Sequence, residues 1–311
     1  MIAPGSGSDG AGVPDPTGAL DTPGRELLAD LVSIPSPSGE EAEAAAYLAA
    51  FFEAHGREAW IDDAGNVRAP GDDSVLLTSH VDTVPGDVLV RVEDGDDELG
   101  VEGSVLWGRG SVDATGPLAA MAVAAVETGA SFVGVVGEET DSRGARHLIA
   151  ERDPPEAVIN GEPSGWDGLT LGYRGIVGGE YSVATRAGHG ARPDANAIDH
   201  ATAWWERVRA AVATANDGRA PGGFDSVTAT AESVDGGLTD DGTAVSASLA
   251  AEFRIPPTET AEAVRSVVAD CLEAGEIAWE TSIPPLVASP RGALPAALRK
   301  AIREAGGEPT H

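Results

Sequence analysis

The chain contains 311 residues, and 42% of them are hydrophobic, which is enough to fill the core of one large domain or two ordinary ones. Its 51 acidic residues face only 20 basic ones, so the formal net charge is -31, and Lys300 is the only lysine. A surface this acidic repels phosphate groups, which argues against nucleic acids and anionic membranes as partners.

The composition also predicts where the protein works. An excess of acid with almost no lysine suits a cytoplasm of molar salt, so we expect a halophilic, cytoplasmic protein. The single cysteine, Cys271, cannot form a disulfide within the chain and fits a reducing cytosol. Residues 1–23 are rich in Gly, Pro, Ser and Asp, which predicts a flexible N-terminal extension rather than a signal peptide. The apolar stretch at residues 116–137 is interrupted by polar residues, so no membrane span is expected.

The first half of the chain alternates between helical and strand-like patterns. Helical spacing of apolar residues appears at residues 24–34 and 40–54, separated by a Ser-Pro-Ser-Gly break at residues 36–39 whose hydroxyls could cap the second helix. Further along, short apolar runs predict buried strands and the segments between them predict helices: strands at residues 75–78, 132–136 and 157–159, and helices at residues 116–127 and 143–151. The pattern predicts an α/β fold with a mixed, mostly parallel sheet flanked by helices.

The pattern changes near Tyr173. The segments that follow predict an α+β module with antiparallel character: strands at residues 176–186, 225–234 and 244–255, and helices at residues 196–215 and 258–271. A short strand at residues 286–288 and a helix at residues 293–305 then follow. We therefore expect a catalytic domain formed by residues 24–173 and 285–311, with residues 174–284 inserted into it.

Four short acidic segments each lie at the end of a predicted strand. They are residues 76–82, 108–113, 135–139 and 159–162. In open α/β sheets, ligands bind beyond the carboxyl ends of the strands, which is where these segments fall. Together they supply one imidazole and several carboxylates, the ligand types of a two-metal hydrolytic site without thiolates.

Two of these segments also have a simpler explanation when taken singly. His80 could be a hydrogen-bonded core histidine, although the two-residue spacing lets Asp82 orient a metal-bound His80. Asp113 could complement the dipole of the following helix, or it could bridge two metal ions. The neighbouring acids Glu138 and Glu139 would repel each other unless a cation were close or one of them took a proton. They could divide the work, with Glu139 binding metal and Glu138 taking a proton from the attacking water.

In this order and context, the motifs resemble the zinc-dependent aminoacylase and carboxypeptidase family, which includes acetylornithine deacetylase and succinyl-diaminopimelate desuccinylase. The residues after Asp113 and after Glu162 are most similar to the branch that releases lysine or ornithine from an amino-group carrier protein. The resemblance rests on the motifs His80-x-Asp82, Gly-Arg-Gly-x-x-Asp113, Glu138-Glu139 and Glu162-Pro163.

The resemblance implies a zinc exopeptidase-like fold, an inserted α+β dimerisation domain, and two Zn²⁺ ions per chain, with Co²⁺ as an alternative. It implies His80 and Glu162 on one metal, Glu139 on the other, and Asp113 bridging them. Glu138 would act as base and acid, and Asp82 would lie behind His80.

The resemblance also implies roles for two residues of the inserted domain. His189, in a Gly-His-x-x-x-Pro stretch, would reach across a homodimer to stabilise the tetrahedral oxyanion in the partner's site. Arg254 would meet the substrate carboxylate, although a salt bridge on a β-edge explains it equally well.

The family pattern continues beyond residue 309 to a final histidine that completes the second metal site, so we expect the C-terminal part to be missing here. His311 comes too early in the pattern to be that ligand. The implied activity is cleavage of the isopeptide bond between a small acidic amino-group carrier protein and lysine or ornithine, in lysine or arginine biosynthesis. The alternatives are a deacylase or dipeptidase acting on free N-acyl amino acids, and a truncated, non-catalytic paralogue.

Overall fold

The computed structural model describes residues 23–95, 103–189 and 193–310. The predicted N-terminal extension, apart from Pro23, lies outside the described residues, and so does His311. The chain divides into two compact units, Met1–Trp166 and Asp167–His311. In the part of the chain that the structure describes, no helix combines the length and the apolar character needed to cross a membrane.

The first unit is an α/β structure. Its elements in chain order are α1 (Pro23–Val32), α2 (Ala42–Ala54), β1 (Trp60–Ile61), β2 (Val67–Ala69), β3 (Asp72–His80), β4 (Arg91–Asp94), β5 (Ser104–Trp107), α3 (Thr115–Thr128), β6 (Ala130–Val135), α4 (Arg143–Glu151) and β7 (Val158–Asn160). Five strands form one sheet in the order β1-β2-β6-β3-β7, and β4 pairs with β5 in a separate hairpin.

The five-stranded sheet is mixed, as predicted. β6, β3 and β7 run parallel, while β2 and β1 add antiparallel pairs at one side. Successive side chains alternate between the two faces: Phe132 and Leu77 pack with α1, α2 and α3, whereas Val133 and Leu76 pack against Leu148 of α4. Helices therefore cover both faces, which confirms the predicted α/β class.

The register of the parallel strands aligns their carboxyl ends. His80 of β3 is paired with Val135 of β6, and Thr78 of β3 is paired with Asn160 of β7. The residues that follow these three strands therefore emerge at one edge of the sheet, which is the edge where the acidic segments were predicted to meet.

The second unit contains β8 (Gly172–Tyr173), β9 (Gly175–Arg186), α5 (Ala197–Ala215), β10 (Thr228–Leu238), β11 (Ala244–Ile255), α6 (Ala261–Ala269), β12 (Glu276–Trp279), β13 (Leu286–Val287) and α7 (Ala293–Glu304). Four of its strands form an antiparallel sheet in the order β10-β11-β9-β12. Its core includes Trp204 of α5, which stacks on Tyr181 of β9 at a ring distance of 4.4 Å.

Several element boundaries differ from the sequence prediction by a few residues, and two of these differences have a clear local cause. α6 begins only at Ala261, because Thr260 caps it by accepting a hydrogen bond from the backbone N–H of Ala263, and it ends at Ala269. Cys271 therefore lies beyond the helix, although it is buried. β10 begins at Thr228 rather than at residue 225, because the side chain of Asn216 takes both backbone hydrogen bonds of Val227.

Candidate metal centre

His80 is the last residue of β3 and its side chain is only 1% exposed. Its Nδ1 lies 2.8 Å from the backbone carbonyl oxygen of Asp82, an atom that can only accept a hydrogen bond. Nδ1 therefore carries a proton, and in the neutral ring the free lone pair is on Nε2. Nε2 faces the carboxylates of Asp113, at 3.1 Å, and Glu162, at 4.0 Å.

The Asp82 carboxylate lies behind His80, and it is fully buried. Its Oδ1 is 3.6 Å from Nδ1 of His80, so the carbonyl of Asp82 rather than its carboxylate takes the short hydrogen bond from the ring. The carboxylate instead accepts hydrogen bonds from the backbone N–H groups of Glu138, at 3.0 Å, and Glu139, at 3.1 Å, and from the Ser38 hydroxyl, at 2.7 Å.

The pKa values of this pair move in opposite directions. Burial disfavours the imidazolium, but the Asp82 carboxylate and the negative charge of Glu162 outweigh it and raise the pKa of His80 to about 10. Burial also disfavours the Asp82 carboxylate, but His80, Ser38 and the two backbone N–H groups lower the pKa of Asp82 to about 2. Without a metal, a proton is therefore held on the imidazole.

Asp113 reaches the site from the loop between β5 and α3. Its side chain is 57% exposed, and no side chain caps α3, so the carboxylate faces His80 instead of serving as a helix cap. The loop turns at Gly110, whose φ is +76° and where a Cβ would lie 2.6 Å from Thr83. Only glycine accommodates both the left-handed backbone and this close approach. The peptide bond between Asp113 and Ala114 is cis.

Glu138 and Glu139 follow β6. One carboxylate oxygen of Glu139, one of Asp113 and a ring nitrogen of His80 all lie within 4.8 Å of one another. Burial, together with the negative charge of Asp113, raises the pKa of Glu139. The Glu138 side chain is exposed, and its backbone N–H, like that of Glu139, donates to the Asp82 carboxylate.

Glu162 follows β7 and is 39% exposed. Its Oε1 accepts a hydrogen bond from Asn160 at 3.2 Å, which leaves Oε2 facing His80. Burial raises the pKa of Glu162, and the negative charge of Glu138 adds to this although His80 opposes it. Several carboxylates thus lie close to one imidazole, and a bound cation would reduce the electrostatic repulsion among them.

The ligand atoms fit a metal of the zinc type. With bonds of about 2.0–2.1 Å in a tetrahedral centre, neighbouring ligand atoms lie roughly 3.3 Å apart. The separations of 3.1 Å and 4.0 Å from Nε2 of His80 to the carboxylates of Asp113 and Glu162 bracket that value. One imidazole and several carboxylates are also ligands that zinc and cobalt accept.

The other two predicted site residues belong to the second unit. His189 is exposed and lies three residues beyond β9, next to residues 190–192, which fall outside the described part. Arg254 is on β11, and its Nε binds Oε1 of Glu252 at 2.6 Å. β11 lies between β10 and β9, so this salt bridge is not at a sheet edge as the alternative explanation supposed.

Two polar residues at the site were missed by sequence reasoning: Asn160, which binds Glu162, and Ser38, which binds Asp82. The break at residues 36–39 was expected to cap α2, and this was wrong. Glu41 occupies the N-cap of α2, but its side chain makes no hydrogen bond that caps the helix, and Ser36 donates to the carbonyl of Val81. No local pattern indicates the contacts of the two serines, because Ser38 and Asp82 are 44 residues apart and Ser36 and Val81 are 45 residues apart.

The chain is similar to proteins of known classification. Residues 76–311 match the model of peptidase family M20/M25/M40. A relative from Deinococcus radiodurans named "[LysW]-lysine hydrolase" is 40% identical over 307 residues, which cover 92% of this chain and 80% of the relative. Another from Saccharolobus islandicus, named "[LysW]-lysine/[LysW]-ornithine hydrolase", is 35% identical over 158 residues, covering 49% of this chain and 43% of the relative.

Solved structures share the fold. A tripeptidase from Staphylococcus aureus aligns with a TM-score of 0.69 at 20% identity, over 92% of this chain and 82% of its own. An M20 family metallo-carboxypeptidase from Sulfolobus solfataricus aligns with a TM-score of 0.65 at 16% identity, over 93% of this chain and 85% of its own. The family resemblance predicted from the four acidic segments is confirmed, and the chain belongs to peptidase family M20/M25/M40.

Proposed function

We propose that this protein is a metal-dependent amidohydrolase that cleaves the isopeptide bond between an amino-group carrier protein and lysine or ornithine. The names of the relatives from Deinococcus radiodurans and Saccharolobus islandicus support the substrate class. The observation that carries the chemistry is the convergence of His80, Asp113 and Glu139 at one edge of the sheet. Such a reaction belongs in lysine or arginine biosynthesis.

The metal is proposed to be zinc, with cobalt as an alternative, at two ions per complete site. His80 and Glu162 would hold one ion, Glu139 the other, and Asp113 would bridge them. The second ion would need a further ligand, which the family resemblance expects from a histidine late in the family pattern. When bound, the metal supplies Lewis acidity to the amide carbonyl and to the attacking water.

The protein residues would then move the protons. Glu138 is exposed at the rim of the site, where it can take a proton from the attacking water and pass it to the leaving amine. The Asp82 carboxylate accepts a hydrogen bond from the backbone N–H of Glu138. The residue that lies behind His80 therefore also positions the backbone of the proposed base. We assign the base and acid roles to Glu138 rather than to Glu139 because Glu139 lies in the cluster with His80 and Asp113, whereas the Glu138 side chain is exposed and outside that cluster.

The inserted domain, residues 174–284, is proposed to dimerise. In such a homodimer His189 would stabilise the oxyanion in the partner's site, and Arg254 would bind the substrate carboxylate after leaving Glu252. The assignment of residues 24–173 and 285–311 to one catalytic domain also stays a prediction. A mixture of one chain lacking Glu138 and one lacking His189 would regain activity only if the two residues serve the same site from different chains.

The cellular setting is proposed from charge. With a net charge of -31, the protein should be stabilised by salt that screens self-repulsion, as in a salt-loving cytoplasm. Thermal unfolding recorded at increasing KCl tests this. A midpoint that did not rise with KCl would count against the halophilic assignment.

The function is tested by offering the purified protein two substrates side by side: a carrier protein linked to lysine or ornithine, and free N-acetyl-lysine. We expect release of amino acid from the carrier, loss of turnover with a chelator, and recovery on adding zinc or cobalt. Turnover of N-acetyl-lysine alone would favour the free-substrate deacylase. Metal binding without turnover of either substrate would favour a non-catalytic paralogue.

A further inference from the structure

Residues 36–41 lie against the chain that leaves β3, and this contact is built from backbone hydrogen bonds. The N–H of Thr83 donates to the carbonyl of Ser36 at 2.9 Å, and the N–H of Ser38 donates to the carbonyl of Thr83 at 3.3 Å. The buried hydroxyl of Ser36 adds a bond of 3.0 Å to the carbonyl of Val81. These hydrogen bonds hold the segment beside Asp82 without help from any side chain of the metal centre.

The Ser38 hydroxyl is the contact from this segment to the centre. It donates to Oδ2 of Asp82 at 2.7 Å, and the same oxygen accepts the N–H of Glu139 at 3.1 Å. The other oxygen, Oδ1, accepts the N–H of Glu138 at 3.0 Å. One fully buried carboxylate thus joins residues 36–41 to the loop that carries both glutamates, and it does so directly behind His80.

The same segment touches this loop a second time. Glu41, whose side chain is 5% exposed, accepts a hydrogen bond from Nη2 of Arg143 at 2.7 Å. Arg143 is the first residue of α4 and ends the loop that begins after β6. The backbone N–H of Arg143 binds Asp141, which fixes that end of the loop. Residues 36–41 therefore hold the glutamate loop near its start through Asp82 and at its end through Arg143.

We propose that Ser38 is a positioning residue for the metal centre. Its hydroxyl fixes the rotation of the Asp82 carboxylate. The carboxylate in turn holds the backbone of Glu138 and Glu139 in place beside His80. Without the Ser38 hydroxyl, Oδ2 of the buried Asp82 carboxylate keeps only the N–H of Glu139 as a donor, so the carboxylate can rotate towards other donors. The role in metal binding rests on the proposed function, whereas the role in holding the loop does not.

Three variants separate positioning from general stability: Ser38→Ala, Ser38→Thr and Ser36→Ala. Ser36→Ala is the matched control, because it also removes a serine hydroxyl bond of the same segment but removes none of the donors to the Asp82 carboxylate. Two measurements apply to each protein. Amide hydrogen exchange at Glu138 and Glu139 is followed by NMR in metal-free protein, and zinc affinity is measured by competition with a chromogenic chelator.

We expect Ser38→Ala to speed amide exchange at Glu138 and Glu139 about tenfold. Mutating a residue that contacts a metal ligand directly lowers metal affinity roughly 10–100-fold. Because Ser38 contacts such a residue rather than the ligand itself, we expect Ser38→Ala to lower zinc affinity about three- to tenfold. Ser38→Thr should restore both values, and Ser36→Ala should change neither while lowering the unfolding midpoint. Unchanged exchange in Ser38→Ala, or equal changes in Ser38→Ala and Ser36→Ala, would overturn the proposal.

The two claims fail separately. If the wild-type protein binds no zinc, the proposed function fails, and amide exchange in the metal-free protein still decides whether Ser38 positions the loop. If zinc binds and the carrier substrate is cleaved while Ser38→Ala leaves exchange and affinity unchanged, the function stands and the role of Ser38 is rejected.

Discussion

Nε2 of His80 lies 3.1 Å from Oδ1 of Asp113, although 33 residues separate the two in sequence. The imidazole of His80 is buried, whereas the carboxylate of Asp113 is more than half exposed. The pair therefore places a buried nitrogen ligand beside an oxygen ligand that solvent can reach. We predict that His80→Asn lowers zinc affinity by more than about tenfold, because it removes the only imidazole among the clustered groups. Equilibrium dialysis with zinc measures this.

His200 provides the control for that variant. It is a half-buried histidine on α5, a helix of the second unit. His200→Asn should leave zinc affinity unchanged. Equal losses in the two variants would mean that the zinc is not held at His80.

Zinc binding should release a proton. Because the pKa of His80 is about 10 without metal, the imidazole is protonated at pH 8, and a zinc ligand must be neutral. We expect roughly one proton per chain from His80 when zinc binds at pH 8. Calorimetric titrations in two buffers of different ionisation enthalpy measure this number. A buffer-independent enthalpy would contradict the protonated state of His80.

The same pKa shift predicts the pH dependence of the metal-free protein. The folded pKa of His80, about 10, is above the unfolded value of 6.5, so its contribution to stability is complete below pH 6.5 and is lost as the pH rises to 10. Denaturant unfolding of metal-free protein between pH 6.5 and 10 should show this decline. His80→Gln should flatten it, and an equally steep decline in that variant would assign the effect to other groups.

The turn before β2 offers a test of the structure away from the metal centre. The Asp62 carboxylate accepts hydrogen bonds from the N–H groups of Ala64 and Asn66, from the Asn66 side chain and from Arg68, all between 3.0 and 3.1 Å. Replacing it with Asn should cost about 1.5–3 kcal/mol of unfolding free energy, measured with urea. The exposed neighbour Asp63, changed to Asn, should cost less than about 0.5 kcal/mol.

The Asp62 effect should also depend on pH. Burial opposes ionisation of Asp62, but its hydrogen bonds with Asn66 and Arg68 lower its pKa below 3.8. Its contribution is therefore present above pH 3.8 and lost as the pH falls through the folded pKa. The difference in stability between wild type and Asp62→Asn should shrink in acid. A difference that is constant from pH 7 to pH 3 would contradict the lowered pKa.

A substitution at Gly110 tests whether zinc binding requires the conformation of the loop that carries Asp113. Gly110→Ala would place a Cβ within 2.6 Å of Thr83 in addition to the cost of a left-handed backbone, so the loop should shift and zinc affinity should fall. Gly129 has a similar φ of +75°, but its Cβ would meet nothing within 4 Å. Gly129→Ala should cost only about 1 kcal/mol of stability. Equal zinc affinities in the two variants would show that the close contact at Gly110 is unimportant.

The sequence predicted the parts of the molecule that follow simple periodicity. β3 contains a short apolar run and β6 is mostly apolar, and parallel strands end at one edge of a sheet, so the sequence alone predicts that His80 and Glu139 meet there. The helix α5 was equally clear, because its buried residues repeat with helical spacing and Asn196 caps it.

Other features left no periodic pattern. The pairs β1–β2 and β4–β5 contain strands of two to four residues, too short to show alternation. The hydrogen bond from Ser38 to Asp82 depends on how the link between α1 and α2 packs against β3, which is a tertiary property. That the Asp82 carbonyl, rather than its carboxylate, takes the short hydrogen bond from His80 is a matter of tenths of an ångström.

The central claim is metal-dependent hydrolysis with Glu138 as the base, and one measurement tests it most directly. Turnover of carrier-linked lysine is compared between wild type, Glu138→Gln and the exposed-site control Glu53→Gln, each with its zinc content determined. We predict that Glu138→Gln loses about two to four orders of magnitude in turnover while keeping its zinc, and that Glu53→Gln resembles wild type. Turnover of Glu138→Gln equal to wild type at full zinc content would contradict the account.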